Sequence, residues 1–159
     1  MTNKLPAAPK NHEHFMRIAL NEAKKAFAQG EVPIGAVVVH NGKVIAKGKN
    51  SPIAKYDPTA HAEIIALKRA GSKLKNYRLN NTVLYATIEP CPMCAGACVW
   101  ARVSKIVYGA TDIKAGACGS LMNVAEHKKL NHMVNVTGGV LAQECAQLMQ
   151  DFFKSKRKK

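Results

Sequence analysis

Thr82-Val83-Leu84-Tyr85-Ala86-Thr87-Ile88-Glu89-Pro90-Cys91-Pro92-Met93-Cys94 decides the fold. Thr82 to Thr87 reads as a buried strand, Ile88-Glu89-Pro90 ends it, and a helix begins near Cys91. Upstream, a helix is expected from about Ala60 to Ala70, stopping near Gly71, behind a loop that holds Pro52 and Pro58. Before that loop, Ile34–Val39 and Val44–Lys47 flank Asn41-Gly42, a pair that favours a tight hairpin because both residues tolerate positive φ. Phe15, Ile18, Ala19, Ala23, Ala26 and Phe27 recur at helical spacing, with Gly30 placed to close that helix. Downstream come a strand over Ser104–Tyr108, a Gly- and Ala-rich loop over 110–121, a strand near Val134–Thr137 and a helix over Val140–Phe153. One helix, two strands, then helices alternating with strands make an α/β chain with a central mixed sheet and helices on its faces.

The chain has 159 residues, enough for one domain with a real core and no disulfides. That domain is expected over residues 12–153, after a flexible lead-in (1–11) and before a basic tail (154–159). No apolar run approaches the ~20 residues needed to span a bilayer, and the opening lacks a signal peptide's apolar stretch, so a soluble, cytoplasmic protein with no membrane partner is expected. Five cysteines are an odd set for a secreted disulfide framework. Lys and Arg number 24 against 10 acidic residues, a formal net charge of +14. Such a field suits a polyanionic partner as well as a merely basic surface, and charge alone does not separate RNA from DNA or an acidic membrane.

Two short motifs carry chemistry: His61-Ala62-Glu63 and Pro90-Cys91-Pro92-Met93-Cys94, each opening a helix after a loop. Cys91 and Cys94, three apart, share a helical face, and the positive end of the helix dipole favours the thiolates that a metal requires. His61 supplies a third, neutral ligand, which leaves the fourth tetrahedral position open, as in a catalytic zinc. Two thiolates cancel the charge of Zn²⁺, so a bound water needs help to lose its proton, and Glu63 is the carboxylate placed to take it and pass it to a substrate. His-x-Glu followed by Pro-Cys-x-x-Cys is the signature of zinc deaminases. A thioredoxin-like redox site also fits Cys-x-x-Cys after a strand, and a structural zinc with Cys98 is a third reading. Cys98, however, lies roughly 10 Å along the helix from Cys91, which makes it a core residue, like Cys118 and Cys145.

Over about Phe15–Phe153 the chain resembles the bacterial tRNA-specific adenosine deaminases, members of the cytidine/deoxycytidylate deaminase-like group that make inosine at the anticodon wobble position. The resemblance rests on Val32-Pro33-Ile34-Gly35-Ala36-Val37, Asp57-Pro58-Thr59-Ala60-His61-Ala62-Glu63, Glu89-Pro90-Cys91-Pro92-Met93-Cys94-Ala95-Gly96-Ala97, Gly119-Ser120-Leu121-Met122-Asn123 and Asp151-Phe152-Phe153. It implies a three-layer α/β/α fold on a five-stranded sheet, a homodimer, one zinc per subunit on His61, Cys91 and Cys94, and Glu63 as proton shuttle. It also implies a tRNA anticodon stem-loop as partner, an arginine tRNA above all. Asn50 matches the residue that holds the flipped base, and Ile34 the apolar residue against the purine, with Val32 and Ala62 beside them. On local chemistry alone Asn50 reads equally as a solvated turn residue before Pro52. Asp112 and Lys114 match a loop bordering the RNA, where Asp112 accepts from a ribose hydroxyl or simply caps backbone. Phe152 and Phe153 offer a face to an unstacked base or pack the last helix. A free-nucleobase deaminase, such as a guanine deaminase, shares the zinc signature and has no need of the basic tail.

Overall fold

The computed structural model describes residues 9–158. Its elements are α1 (Pro9–Ala28), β1 (Gly35–His40), β2 (Lys43–Lys49), α2 (Pro52–Lys55), α3 (Ala62–Leu74), β3 (Thr82–Ile88), α4 (Pro92–Ala101), β4 (Lys105–Ala110), β5 (Asn135–Thr137) and α5 (Ala142–Arg157). The strands lie in the order β2-β1-β3-β4-β5. β1 pairs antiparallel with both β2 and β3, while β3–β4 and β4–β5 are parallel. The stretch around Thr82 is therefore the central strand of the expected mixed five-stranded sheet, and α4 supplies the crossover that the parallel β3–β4 pair needs.

Strand alternation sorts the core into two faces. Ala36, Val38, Leu84 and Ile106 point toward Ala62, Ala66, Ala70, Ala95 and Cys98 of α3 and α4. Val37, Val39, Tyr85 and Val107 point the other way, toward Phe15, Met16, Ala19, Leu20 and Cys145 of α1 and α5. Helices on both faces make this the three-layer α/β/α sandwich of the expectation. The hairpin turn forms as read, with Asn41 at φ 52° and Gly42 at φ 75°. At Gly48 the sheet and α3 touch: a Cβ there would lie 2.2 Å from the Ala62 carbonyl oxygen, so only glycine lets the first turn of α3 sit this close to β2.

Three boundaries differ from the sequence reading. α1 starts at Pro9, inside the stretch read as a flexible lead-in, whose residues 1–8 lie outside those described. α3 runs through Gly71 to Leu74 and ends on left-handed Lys75, because Asn76 N–H reaches back to the Gly71 carbonyl and Leu74 still packs on the core. α5 continues to Arg157, so most of the basic tail is the last turn of a helix; Lys159 lies outside the described residues. One element was not anticipated. α2 is a single turn whose N–H groups at Ile53 and Ala54 donate to the carboxylate of Glu31, itself 2% exposed.

Candidate metal centre and substrate face

β3 and α3 deliver the two motifs to the same end of the sheet. His61 is the N-cap of α3 and Cys91 the N-cap of α4, both with extended backbone, so their side chains leave the helix starts and meet. His61 Nδ1 lies 3.6 Å from Cys91 Sγ and 3.5 Å from Cys94 Sγ. The ligand atoms of the three residues all fall within 4.8 Å of one another. A tetrahedral zinc with its usual bond lengths of ~2.05 Å to nitrogen and ~2.3 Å to sulfur would set the N···S edges at about 3.6 Å. The donor set and its spacing therefore fit zinc. Cys98 is buried in the core and stands outside the group.

The ionisation of the thiols suits the same task. A hydrogen bond from Cys94, with His61 nearby, outweighs burial and brings Cys91 down to about 4, while Cys94, bonded to that sulfur and buried, is pushed up. The low value at Cys91 favours the thiolate, the form in which cysteine binds a metal. His61 is raised, chiefly through its bond to Cys91.

Glu63, in the first turn of α3, is 3% exposed, and its Oε1 has no hydrogen-bond partner among the described residues. Burial raises its pKa. Leaving a carboxylate oxygen buried and unbonded is costly, and such an atom marks a place where a ligand, water or proton belongs.

Asn50 is 6% exposed, not a solvated turn residue. Its Oδ1 accepts from Ala62 N–H at 2.9 Å, covering one of the open donors at the start of α3. Because an N–H must face an oxygen, this bond also fixes the amide: Nδ2 is the end turned away from Ala62. Asn50 N–H in turn donates to the Ile34 carbonyl at 3.0 Å, so Ile34 and Asn50 stand side by side at the open end of the hairpin. Ile34 and Val32 are half-buried. Ala62 is 0% exposed with its N–H engaged, which makes it backing for the site instead of an exposed wall.

Asp112 Oδ1 accepts from the N–H groups of Lys114 and Ala115, so this oxygen caps local backbone. Lys114 itself is exposed and shares an open groove of about 640 Å³ with Met149, Gln150, Phe153, Lys156 and Arg157. Phe152 is 5% exposed and meets Phe27 edge-on, whereas Phe153 is 45% exposed. Phe152 thus packs the last helix, and Phe153 is open to solvent. Sequence reasoning passed over Glu31 and Glu89, both fully enclosed carboxylates; an acidic residue locked between apolar neighbours, as in Ile88-Glu89-Pro90, was the available signal.

A family model for MafB19-like deaminases matches residues 10–157. The chain belongs to this deaminase family, and within it to the branch whose curated relatives are named tRNA-specific adenosine deaminases. One of these, from Haemophilus influenzae, is 49% identical over 146 residues, covering 91% of this chain and 84% of the relative. Another, from Bacillus subtilis, is 47% identical over 147 residues, covering 92% and 91%. Among solved structures, one from a study of A-to-I editing by tRNA:A34 deaminases at the wobble position superposes with TM-score 0.82 at 42% identity, covering 85% of this chain and 98% of that one. A guanine deaminase from Nitrosomonas europaea gives TM-score 0.75 at 27% identity, covering 94% and 86%.

Proposed function

We propose that this chain hydrolyses adenosine to inosine at the wobble position of a tRNA anticodon, with one zinc per subunit on His61, Cys91 and Cys94. The observation that carries this is the meeting of that ligand set with a buried Glu63 whose Oε1 has no partner among the described residues, on a chain nearly half identical to tRNA-specific adenosine deaminases. Zinc, when bound, supplies a Lewis acid that makes water nucleophilic near neutral pH. Glu63 takes a proton from the attacking water at Oε1, gives it to the purine ring nitrogen, and assists the departing amine, which leaves as ammonia. Burial raises its affinity for the proton, which suits a group that must take one from water. Asn50 offers Nδ2 as a donor to a ring nitrogen, and Ile34 and Val32 give the purine an apolar edge.

RNA leaves the site along the groove beside α5. Phe153 presents a face for an unstacked base, while Lys114, Lys156 and Arg157 meet phosphates, the usual combination for single-stranded nucleic acid. Asp112 keeps Oδ2 for a ribose hydroxyl while Oδ1 serves the backbone. The anticodon stem-loop of an arginine tRNA is the substrate, and the setting is the cytoplasm; no helix among the described residues is long and apolar enough to cross a membrane. Trp100 and Tyr77, 79% and 78% exposed on the α3–α4 side, supply the contact of a homodimer.

The guanine deaminase likeness favours a second reading, a free-purine deaminase. The purified protein is given an arginine tRNA anticodon hairpin with adenosine at the wobble position and, separately, free guanine. Inosine in the hairpin alone is the expected result; turnover of guanine alone assigns the second reading.

A further inference from the structure

Glu89 directly follows β3, two residues before the first cysteine of the ligand set, and is 3% exposed with no ion-pair partner among the described residues. Its oxygens are filled by the loop after β4. Oε1 accepts from Asp112 N–H (3.1 Å) and from the Ser120 hydroxyl, and Oε2 from Cys118 N–H (3.0 Å) and Ser120 N–H (3.1 Å). Four donors from three positions converge on one carboxylate, gathering both ends of the 112–120 segment. Gly116 completes the wrap. A Cβ there would lie 2.4 Å from Glu89 Oε2 and from the Asp112 carbonyl oxygen, so the loop passes over the carboxylate only as glycine. The bonds from Asp112, Cys118 and Ser120 are all made to a carboxylate. Charged hydrogen bonds of this kind are the strong ones.

We infer that Glu89 is a positioning residue for RNA: it holds the 112–120 loop, and with it Asp112 and Lys114, in the shape that meets the substrate before the substrate arrives. This rests on the reading of the site as an RNA deaminase. Ordering a loop in advance spares binding that entropic cost, so its effect falls on affinity. The backbone leading into the two cysteines has a tie outside that loop, since Glu89 N–H donates to the Ala110 carbonyl without using the carboxylate. Glu89 therefore acts on KM and leaves kcat to other groups.

Glu89→Gln turns one acceptor into a donor facing the donors of the loop. Its kinetics on the anticodon hairpin, metal content, and amide exchange of the loop are compared with the unaltered protein. KM is expected to rise about tenfold, the scale of one lost charged hydrogen bond, with kcat and metal content unchanged. The amides of Asp112, Cys118 and Ser120 should exchange faster. Ser120→Ala, which removes a single donor from the same oxygen, should raise KM less, and adding it to Glu89→Gln should raise KM by less than the product of the two effects. A fall in kcat with KM unchanged, or loss of metal, overturns the inference and makes Glu89 a support of the metal knuckle. Unchanged loop exchange overturns it whatever the kinetics. If Glu89→Gln does not fold, Ser120→Ala decides: no rise in KM and no faster exchange refutes the role. If the unaltered protein makes no inosine, the RNA reading itself fails, and so does this assignment to RNA, while exchange still reports whether the carboxylate holds the loop.

Discussion

Glu63 pays for its position: a carboxyl group enclosed on α3 with Oε1 unbonded costs stability that only chemistry recovers. Glu63→Gln should therefore fold at least as stably and keep its metal while losing about 10²–10⁴-fold in kcat, the span of general acid–base catalysis. Single-turnover assays and metal analysis check this; a variant retaining a tenth of the rate would remove Glu63 from the shuttle. Asn50 carries two duties that substitutions separate. Asn50→Ala strands the buried Ala62 N–H and should cost about 1–3 kcal/mol by denaturant unfolding, along with activity. Asn50→Asp keeps the acceptor at the positive end of α3, so its stability should stay near the unaltered protein, but it loses the Nδ2 donor and should lose activity. Equal activity in the Asp variant would mean that the base is held by other groups. At this scale the grouping of His61, Cys91 and Cys94 was legible because its chemistry is local to two short motifs. Asn50 alone read as a solvated turn residue, since its burial depends on α3 returning across the hairpin, a long-range contact that turn chemistry does not encode.

α1 is fastened to the sheet by a buried polar pair, His12 Nδ1 to Tyr85 OH at 2.8 Å. Burial, with Lys105 nearby, lowers the His12 pKa below its ordinary 6.5. The folded state prefers the neutral ring, so the contribution is complete above about 6.5 and is lost as pH falls through the lower, folded value. His12→Phe should flatten the decline of melting temperature between pH 7 and 5; an unchanged slope would show that other groups set it. Helices and strands were legible wherever periodicity reported a face, as in the alternation of Val37 and Val38 between the two cores. α2 was not, because its N-terminal donors are satisfied by Glu31 from 22 and 23 residues away. Gly71 misled for a related reason: a helix tolerates glycine when the next turn still packs, here through Leu74.

For the whole molecule, a net charge of +14 makes RNA affinity depend on salt. The helical end of α5 makes charge removal a cleaner test than truncation, since Lys156 also covers the Phe152 ring at 5.4 Å. Replacing Lys154, Lys156 and Arg157 with Gln should reduce the log–log salt slope by roughly two units and leave kcat at saturation unchanged. Identical slopes would leave binding to the body of the domain. A mixed sheet with helices on its faces was legible from element order, and its three layers from the family resemblance, whereas the groove joining Lys114 to Phe153 was not, because 39 residues separate them and nothing local brings them together. His61 belongs to the hairpin half of the chain and the cysteines to the parallel half, and the ligand set exists only after β1 and β3 have paired. An ion there works as a latch between halves that fold around different local contacts, and the unfolded chain has no equivalent grip on it. Metal uptake should then lag behind helix formation during refolding, and a strong chelator should lower the melting temperature of the native protein but not of His61→Ala. Measured by stopped-flow and thermal unfolding, the metal would report completion of the fold, so that a half-assembled chain stays catalytically silent.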